Sequence, residues 1–291
     1  FKRSTYIGML GDIAPSIANS EPGNLSIASL PELKSLIVIS EEPVAGMFRF
    51  DDIAAMAPKD ATEQLSERAG IMQPDDAINI QFTSGTTGLP KGATLTHFNV
   101  VNNGYFVGQA MRLSERDRLC IPVPLYHCFG MVLGVLASVT HGATMIFPSE
   151  AFEARAVLEA VSEERCTALH GVPTMFIAEL EHPDFGSFDL GSLRTGIMAG
   201  APCPIEVMRK VISEMHMSEV TIAYGMTETS PVSFQSATDD PLEKRVSTVG
   251  RIHPHVQVKI IDEHGRVVPC GTSGELCTRG YSVMLGYWGE E

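Results

Sequence analysis

The residues best suited to chemistry stand in one short run, residues 82–92, which reads Phe-Thr-Ser-Gly-Thr-Thr-Gly-Leu-Pro-Lys-Gly. An alternating segment, 78–81, precedes the run and is typical of a β-strand. Glycines let the backbone turn sharply and approach a ligand closely, while hydroxyl groups and the ammonium of Lys91 can bind phosphate. The run therefore predicts a polyphosphate-binding loop at the end of a strand. The predicted loop residues are Thr83, Ser84, Gly85, Thr86, Thr87, Gly88, Leu89, Pro90 and Lys91.

The same run also has the composition of an ordinary surface loop, because Gly, Thr and Pro are common loop residues. The Walker loop of P-loop NTPases is a different case, since it needs Ser or Thr directly after the lysine. Here Pro90 precedes Lys91 and Gly92 follows it. The run is therefore not a Walker loop, and other parts of the chain must decide between a phosphate site and a plain loop.

A second candidate site is the segment 224–229, Tyr-Gly-Met-Thr-Glu-Thr, which follows a predicted strand. The ring of Tyr224 can stack on a base, Thr227 can bind phosphate, and the carboxylate of Glu228 can hold Mg²⁺. The same segment could equally be a strand-to-loop turn with a solvated glutamate, so both interpretations stay open here too.

A third candidate is His127, within Pro-Leu-Tyr-His-Cys-Phe-Gly-Met at residues 124–131. The segment follows a predicted strand, so it should lie at the carboxyl end of that strand. A lone histidine is more often a neutral packing residue, because its unperturbed pKa lies close to neutrality.

Six short segments resemble the motifs of one protein family, and they follow the family's order. They lie at 82–92, 124–131, 171–174, 200–202, 224–229 and 274–288. The family is the adenylate-forming superfamily, which contains acyl-CoA synthetases, peptide-synthetase adenylation domains and luciferases. Within it the chain looks most like medium-chain fatty acyl-CoA synthetases, including the animal type called acyl-CoA synthetase family member two. Segments 78–88 and 92–97 carry this finer likeness.

The resemblance implies a two-step reaction: a carboxylate attacks the α-phosphorus of Mg-ATP to form an acyl-adenylate and pyrophosphate, and the thiol of coenzyme A then displaces AMP. It implies catalytic roles for Lys91, Thr227, Glu228 and His127, with Glu228 as the magnesium ligand. Besides the phosphate loop, the implied nucleotide-binding residues are Gly200, Ala201, Pro202, Tyr224, Gly225, Met226 and Thr227. The implied acyl-site residues are His127, Cys128, Phe129, Gly130, Gly171 and Val172.

The segment 121–141 contains no acidic residue. Peptide-synthetase adenylation domains usually carry an aspartate in the corresponding motif, and a buried ammonium group without such a partner is costly. The pattern therefore favours a simple carboxylic acid as substrate. Two alternatives stay open: a ligase for aryl or branched acids, and a non-catalytic module that binds a nucleotide or an acyl group. The family's ribose-binding aspartate, hinge residue and C-terminal lysine would follow residue 291, so we expect an incomplete and catalytically impaired chain without the C-terminal domain.

Strand and helix signals alternate along most of the chain, which predicts an α/β fold with parallel-sheet layers covered by helices. Ligands then lie beyond the carboxyl ends of the strands. After residue 255 short strands and turn signals predict a small distorted β-barrel. The predicted strands are 35–39, 78–81, 119–123, 143–147, 167–170, 195–199, 220–223, 256–261 and 274–278. The predicted helices lie near 60–68, 97–111, 128–140, 150–165, 173–181 and 204–216. The predicted parts are 1–111, 112–236 and 237–291.

The formal net charge of −14 disfavours nucleic acids and anionic membrane surfaces as partners. The six cysteines form no Cys-x-x-Cys pair, so neither zinc nor a disulfide framework is indicated. No segment is long and apolar enough to cross a bilayer. We therefore expect small-molecule partners (a fatty acid, ATP and coenzyme A) and a place in the bacterial cytoplasm. The alternative is the mitochondrial matrix, with a targeting segment absent from this chain; the oligomeric state is not indicated.

Overall fold

The structure is a computed structural model that describes residues 5–83 and 89–290. Five predicted phosphate-loop residues lie outside the described residues: Ser84, Gly85, Thr86, Thr87 and Gly88. Internal contacts divide the chain into two compact units, 1–72 and 73–291. The division into three parts made from the sequence stays a prediction.

The first unit contains two α-helices and a minimal sheet. The helices are α1 (Tyr6–Ile13) and α2 (Ala61–Ile71), and the strands are β1 (Ile37–Val38) and β2 (Phe48–Arg49), which pair in parallel. Its core residues are Ala14, Ile17, Leu25, Ile27 and Met47. Helix α2 confirms the helix predicted near 60–68.

The apolar run 35–39 is predicted as a buried parallel strand; the parallel pairing is present, but the predicted burial is wrong. Only two of its residues pair with β2, and Ile39 is 87% exposed. A strand that is buried on both faces needs neighbours on both sides and helices above and below it. A two-residue ladder is too short to carry such layers, so the apolar side chains of this run stay partly exposed.

The second unit begins with an antiparallel hairpin of β3 (Ala77–Thr83) and β4 (Lys91–Thr96), in which Thr83 stands opposite Lys91. This confirms the strand predicted just before the phosphate loop. Helix α3 (His97–Ala110) follows at once. The Thr96 hydroxyl accepts a hydrogen bond from Asn99 N at 3.1 Å, and Asn99 Oδ1 accepts one from Thr96 N at 2.9 Å. This reciprocal cap confirms the helix start predicted at Thr96.

A seven-stranded mixed sheet forms the centre of this unit. Its strands are β5 (Arg118–Cys120), β6 (Thr144–Ile146), β7 (Ala168–Gly171), β8 (Thr195–Ala199), β9 (Glu219–Gly225), β10 (Val232–Gln235) and β11 (Arg251–Ile252). They stand in the order β11-β10-β9-β8-β7-β5-β6. The five strands β5 to β9 are parallel, which confirms the predicted α/β architecture. β10 and β11 add an antiparallel edge that the sequence pattern does not predict.

Helices cover both faces of this sheet. They are α3, α4 (Ala137–His141), α5 (Ala154–Glu163), α6 (Pro173–Leu180), α7 (Ile205–Glu214) and α8 (Leu242–Ser247). Residues of one strand alternate between two cores, as the period of two requires. On β8, Ile197 packs in the core beside α3, whereas Met198 packs in the core beside α5, α6 and α7.

The helix predicted near 128–140 is present, with an unexpected geometry. Residues Phe129–Leu136 are π-helical, and α4 continues the same segment. Helix α3 packs closely against it, because a Cβ on Gly104 would lie 2.8 Å from Leu136 Cβ. Gly104 therefore lets α3 and the π-helical segment approach closely, and a larger residue at this position would push them apart.

The last part of the chain contributes short antiparallel strands. β12 (Val256–Ile261) and β13 (Glu275–Gly280) form a two-stranded antiparallel ribbon, so the short antiparallel strands are confirmed, but among the described residues 256–290 they do not close into the predicted barrel. β14 (Gly286–Tyr287) pairs instead with β4, far back in the sequence. Within the described ranges, none of the helices combines the length and the apolar character that crossing a bilayer requires.

Candidate active site

A cleft of about 730 Å³ opens where the carboxyl ends of β8 and β9 meet the β3–β4 hairpin. Its volume falls within the range of roughly 300–1,000 Å³ that is typical of small-molecule sites. Eleven residues predicted from the sequence lie on its wall: Thr83, Lys91, His127, Cys128, Phe129, Gly200, Tyr224, Gly225, Met226, Thr227 and Glu228. The three candidate segments, read separately from the sequence, are thus brought together around one cavity.

Other predicted residues are described but do not line this cleft. They are Leu89, Pro90, Gly130, Gly171, Val172, Ala201 and Pro202. Gly171 ends β7 and faces Phe176, and Gly130 lies against the carbonyl of Pro124. The roles implied for all seven stay predictions, as do those of the loop residues 84–88 and of the eleven residues on the wall.

Nine further residues line the cleft without having been predicted as site residues: Gln81, Phe82, Tyr126, Leu133, Ala199, Ala223, Pro231, Val232 and Tyr287. Most of them adjoin a predicted motif, so the elements that carry the motifs place them there. Tyr287 is different, because it reaches the cleft through the pairing of β14 with β4. Its only signal in the sequence is the Gly-Tyr-Trp motif at 286–288.

Lys91 and Glu228 carry the ionised side chains among the described wall residues, and Tyr287 contacts both of them. The Tyr287 hydroxyl donates a hydrogen bond to Glu228 Oε1 at 2.7 Å. Lys91 Nζ lies 4.8 Å from the centre of the Tyr287 ring, within cation–π distance. Lys91 Nζ also lies 3.7 Å from Glu290 Oε2, which is a weak surface ion pair that a phosphate could replace.

His127 is a neutral group in this arrangement. Phe129 N donates a hydrogen bond to His127 Nδ1 at 3.0 Å, so Nδ1 is the acceptor and the ring proton sits on Nε2. Loss of solvation lowers the pKa of His127, although the residue stays open to the cleft. The imidazole can therefore donate a hydrogen bond to a substrate oxygen without adding a positive charge.

Cys128 lies behind His127 and does not provide a nucleophile. Its Sγ is 3.8 Å from Thr227 Oγ1 and 3.8 Å from His127 Nδ1. Burial raises the pKa of Cys128 to about 11, so the thiol stays protonated near neutral pH. The thiol connects the histidine loop to the Thr227 turn as a packing group.

The turn that carries Thr227 and Glu228 is held by backbone contacts. Met226 N donates a hydrogen bond to Pro231 O at 3.0 Å, and the Thr229 hydroxyl donates to the same carbonyl at 2.7 Å. A Cβ on Gly225 would lie 1.8 Å from that oxygen. Only glycine fits where β9 passes so close to the chain that leads into β10.

A buried histidine supports the opposite wall. His170, on β7, is fully buried; Ile197 N donates to its Nδ1 at 3.2 Å, and its Nε2 donates to Leu133 O at 2.9 Å. Burial lowers the pKa of His170 to about 4. The neutral ring thus connects the central sheet to the π-helical segment, where the side chain of Leu133 faces the cleft.

The described residues fit a magnesium–nucleotide complex. Among them no group of three or more His, Cys, Asp or Glu side chains could form a protein-only metal cage. Mg²⁺ commonly binds one or two carboxylates together with phosphate oxygens and water, which suits the single carboxylate of Glu228. The ammonium of Lys91 suits phosphate, and the ring of Tyr224 suits a base.

Comparisons with known proteins find similarity over most of the chain. A model described as AMP-binding enzyme matches residues 19–288. YngI of Bacillus subtilis is 50% identical over 289 residues, which are 99% of this chain and 52% of that protein. Medium-chain acyl-CoA ligase ACSF2, mitochondrial, of Danio rerio is 46% identical over 295 residues, which are 100% of this chain and 48% of that protein. The chain thus spans about half the length of the curated relatives it matches.

A solved structure with the same fold also shares about a quarter of the aligned residues. The anthranilate CoA ligase AuaEII, crystallised in complex with anthranoyl-AMP, superposes with a TM-score of 0.78 and 26% identity. The match covers 90% of this chain and 49% of that one.

Proposed function

The chain belongs to the AMP-binding enzyme family, and on that premise we propose that it carries the adenylate-forming site of an ATP-dependent acyl-CoA ligase. Membership confirms the family resemblance found in the motifs. The observation that carries the proposal is the cleft itself, which gathers a lysine, a threonine–glutamate turn and a neutral histidine from three separate parts of the chain. The relatives named as acyl-CoA ligases support coenzyme A as the second acceptor.

The main difficulty of the first step is to bring a carboxylate anion to a polyphosphate anion. Lys91 lowers the negative charge on the phosphates, and Thr227 supplies a hydroxyl for an additional hydrogen bond. His127 holds the attacking carboxylate through its Nε2–H group, and its neutral state leaves the carboxylate nucleophilic. Glu228 would hold Mg²⁺, which would supply further charge neutralisation at the phosphates. Catalysis then consists of orientation and electrostatic stabilisation.

We assign a medium-chain fatty acid as the substrate. The relative from Danio rerio is named a medium-chain acyl-CoA ligase, and its identity with this chain extends over the whole chain. The wall of the cleft beyond His127 is apolar, with Phe129, Leu133 and Val232. An apolar wall without an acidic side chain suits an alkyl group and leaves no partner for a substrate ammonium.

A second candidate is a ligase for aryl acids, because the solved neighbour AuaEII is named an anthranilate CoA ligase. Phe129, on the cleft wall, would give a flat aromatic acid a ring to pack on, and the buried ring of His170 supports Phe129 from behind with 5.5 Å between the ring centroids. A non-catalytic binding module is the third candidate and predicts ATP binding without turnover.

The compartment is a further part of this proposal. We propose the bacterial cytoplasm, with the mitochondrial matrix as the alternative, since the ACSF2 relatives are named mitochondrial. Fatty acid, ATP and coenzyme A are the proposed small-molecule partners.

The test is acid-dependent ATP–pyrophosphate exchange by the intact protein, with acetate, octanoate, palmitate, benzoate and an amino acid in parallel. Exchange that is highest with octanoate supports both the adenylation and the medium-chain assignment. Highest exchange with benzoate keeps the mechanism and moves the substrate to the aryl acids. ATP binding without exchange for any acid would show a binding module and overturn the enzyme proposal.

A further inference from the structure

The segment 284–288 runs along both charged parts of the cleft. Met284 N donates a hydrogen bond to Glu228 O at 3.0 Å, which ties the segment to the Thr227–Glu228 turn. Trp288 N donates to Gly92 O at 2.7 Å, directly after Lys91. Between these two hydrogen bonds, the side chain of Tyr287 contacts both Glu228 and Lys91.

Tyr287 makes a different contact with each ionised residue. Its hydroxyl donates to one carboxylate oxygen of Glu228, and the face of its ring lies under the ammonium of Lys91. A hydrogen bond to an ionised group is stronger and more directional than one between neutral groups. One oxygen of Glu228 is thereby engaged, so the other is the oxygen available to a metal ion.

We infer that Tyr287 is a positioning residue that presents Glu228 to Mg²⁺ and Lys91 to the phosphates of ATP. This inference rests on the proposed function, since it concerns the same nucleotide site. The two contacts are made by different parts of one side chain, the hydroxyl and the ring. They can therefore be separated by two substitutions, Tyr287→Phe and Tyr287→Leu.

The hydroxyl contact predicts the direction in which Mg²⁺-dependent ATP binding changes. If the hydroxyl orients Glu228, its loss in Tyr287→Phe weakens the Mg²⁺-dependent part of ATP binding. We expect a loss of roughly ten-fold, which is about 1.4 kcal/mol, because a hydrogen bond to a charged group is stronger than one between neutral groups. ATP binding in EDTA should stay within about two-fold of wild type, because the ring still supports Lys91. If Tyr287 only competes with the metal ion for Glu228, the same substitution strengthens Mg²⁺-dependent binding.

The experiment is calorimetric titration of the chain with ATP, once in MgCl₂ and once in EDTA, for the wild type and both variants. Trp288 is the only tryptophan of the chain and adjoins Tyr287, so its fluorescence gives a second reading of the same titrations. Tyr105→Phe is the matched control, because Tyr105 stacks on His141 and does not line the cleft. Tyr287→Leu should weaken binding under both conditions.

The outcomes separate this inference from the proposed function. Support requires a selective loss with MgCl₂ in Tyr287→Phe, an additional loss in EDTA for Tyr287→Leu, and no change in Tyr105→Phe. A Tyr287→Phe variant that binds ATP like the wild type, or more tightly with MgCl₂, overturns the inference and leaves the proposed function intact. A wild-type chain that binds ATP under neither condition overturns both.

Discussion

The side-chain amide of Asn103 bonds to both backbone groups of Val232: Nδ2 donates to the carbonyl oxygen at 2.8 Å, and Oδ1 accepts from the amide nitrogen at 3.0 Å. Asn103 is fully buried on α3, and its amide pairs with Val232 as a neighbouring strand would. Val232 begins β10 and faces the cleft. A helix residue therefore fixes the strand that follows the Thr227–Glu228 turn.

We expect Asn103→Leu to lower the free energy of unfolding by roughly 2–6 kcal/mol, because two buried backbone groups lose their partners at about 1–3 kcal/mol each. Urea unfolding followed by circular dichroism measures this change. Asn102→Ala is the matched control on the same helix, since among the described residues the side-chain amide of Asn102 bonds only to Phe98 O one turn earlier. Equal losses in the two variants would contradict this role of Asn103.

Glu179, on α6, gives a prediction about pH. Its carboxyl group is fully buried and has no hydrogen-bond partner among the residues that the structure describes. Burial raises the pKa of Glu179 well above its usual value. Above the unfolded-state value of about 4.3 the native state then binds more protons than the unfolded state, so stability falls as the pH rises, by up to about 1.4 kcal/mol per pH unit.

Replacing this carboxyl group by an apolar group of similar size should remove that penalty. We expect Glu179→Met to be more stable than the wild type at pH 8, and the difference to shrink at pH 5. Thermal or urea unfolding at the two pH values measures it. Glu181→Gln, at the exposed end of the same helix, should show no such difference. A Glu179→Met variant that is less stable at both pH values would show that the carboxyl group has a partner in solution.

The local motifs of this site could be predicted because each lies at the end of one strand. Thr227 and Glu228 follow β9 directly, and Lys91 opens β4, so short-range sequence patterns place them at a sheet edge. Tyr287 could not be predicted as a partner of Glu228. Its position depends on Gly286 pairing with Thr94, and no local pattern reports a contact between such distant parts of a chain.

Strand β10 of the main sheet shows the same limit of prediction from local sequence patterns. The segment Val232–Gln235 alternates apolar and polar side chains, yet all four residues are buried. The polar ones find partners inside: Gln235 Nε2 donates to Thr221 Oγ1 at 2.9 Å, and His253 Nε2 donates to Gln235 Oε1 at 3.1 Å. Buried polar pairs of this kind are compatible with a core only after tertiary contacts have formed, so hydropathy alone misses the strand.

His170 predicts a stability change in the opposite direction from Glu179. Its native pKa of about 4 lies below the unfolded value of about 6.5, so the unfolded state takes up the proton first as the pH falls. Its contribution is complete above pH 6.5 and is lost between about pH 6.5 and 4, on the order of 3 kcal/mol in total. We expect His170→Gln, which keeps a donor and an acceptor, to flatten the unfolding free energy between these pH values. His182→Gln, with a more exposed imidazole, should keep the wild-type slope, and an unchanged slope in His170→Gln would contradict the assignment.

The charged pair of the cleft gives the direct test of the chemistry. Glu228→Gln and Lys91→Ala should each lower ATP–pyrophosphate exchange by about 10²–10³-fold, because each removes a group that stabilises charge developing at the phosphates, at a cost of about 3–4 kcal/mol. Lys91→Arg should lose less, since it keeps the charge and changes its shape. Glu150→Gln and Lys210→Ala are the controls, because both side chains are exposed and outside the cleft. Near-wild-type exchange in both Glu228→Gln and Lys91→Ala would remove these residues from the catalytic site, and with them the argument that this cleft forms the adenylate.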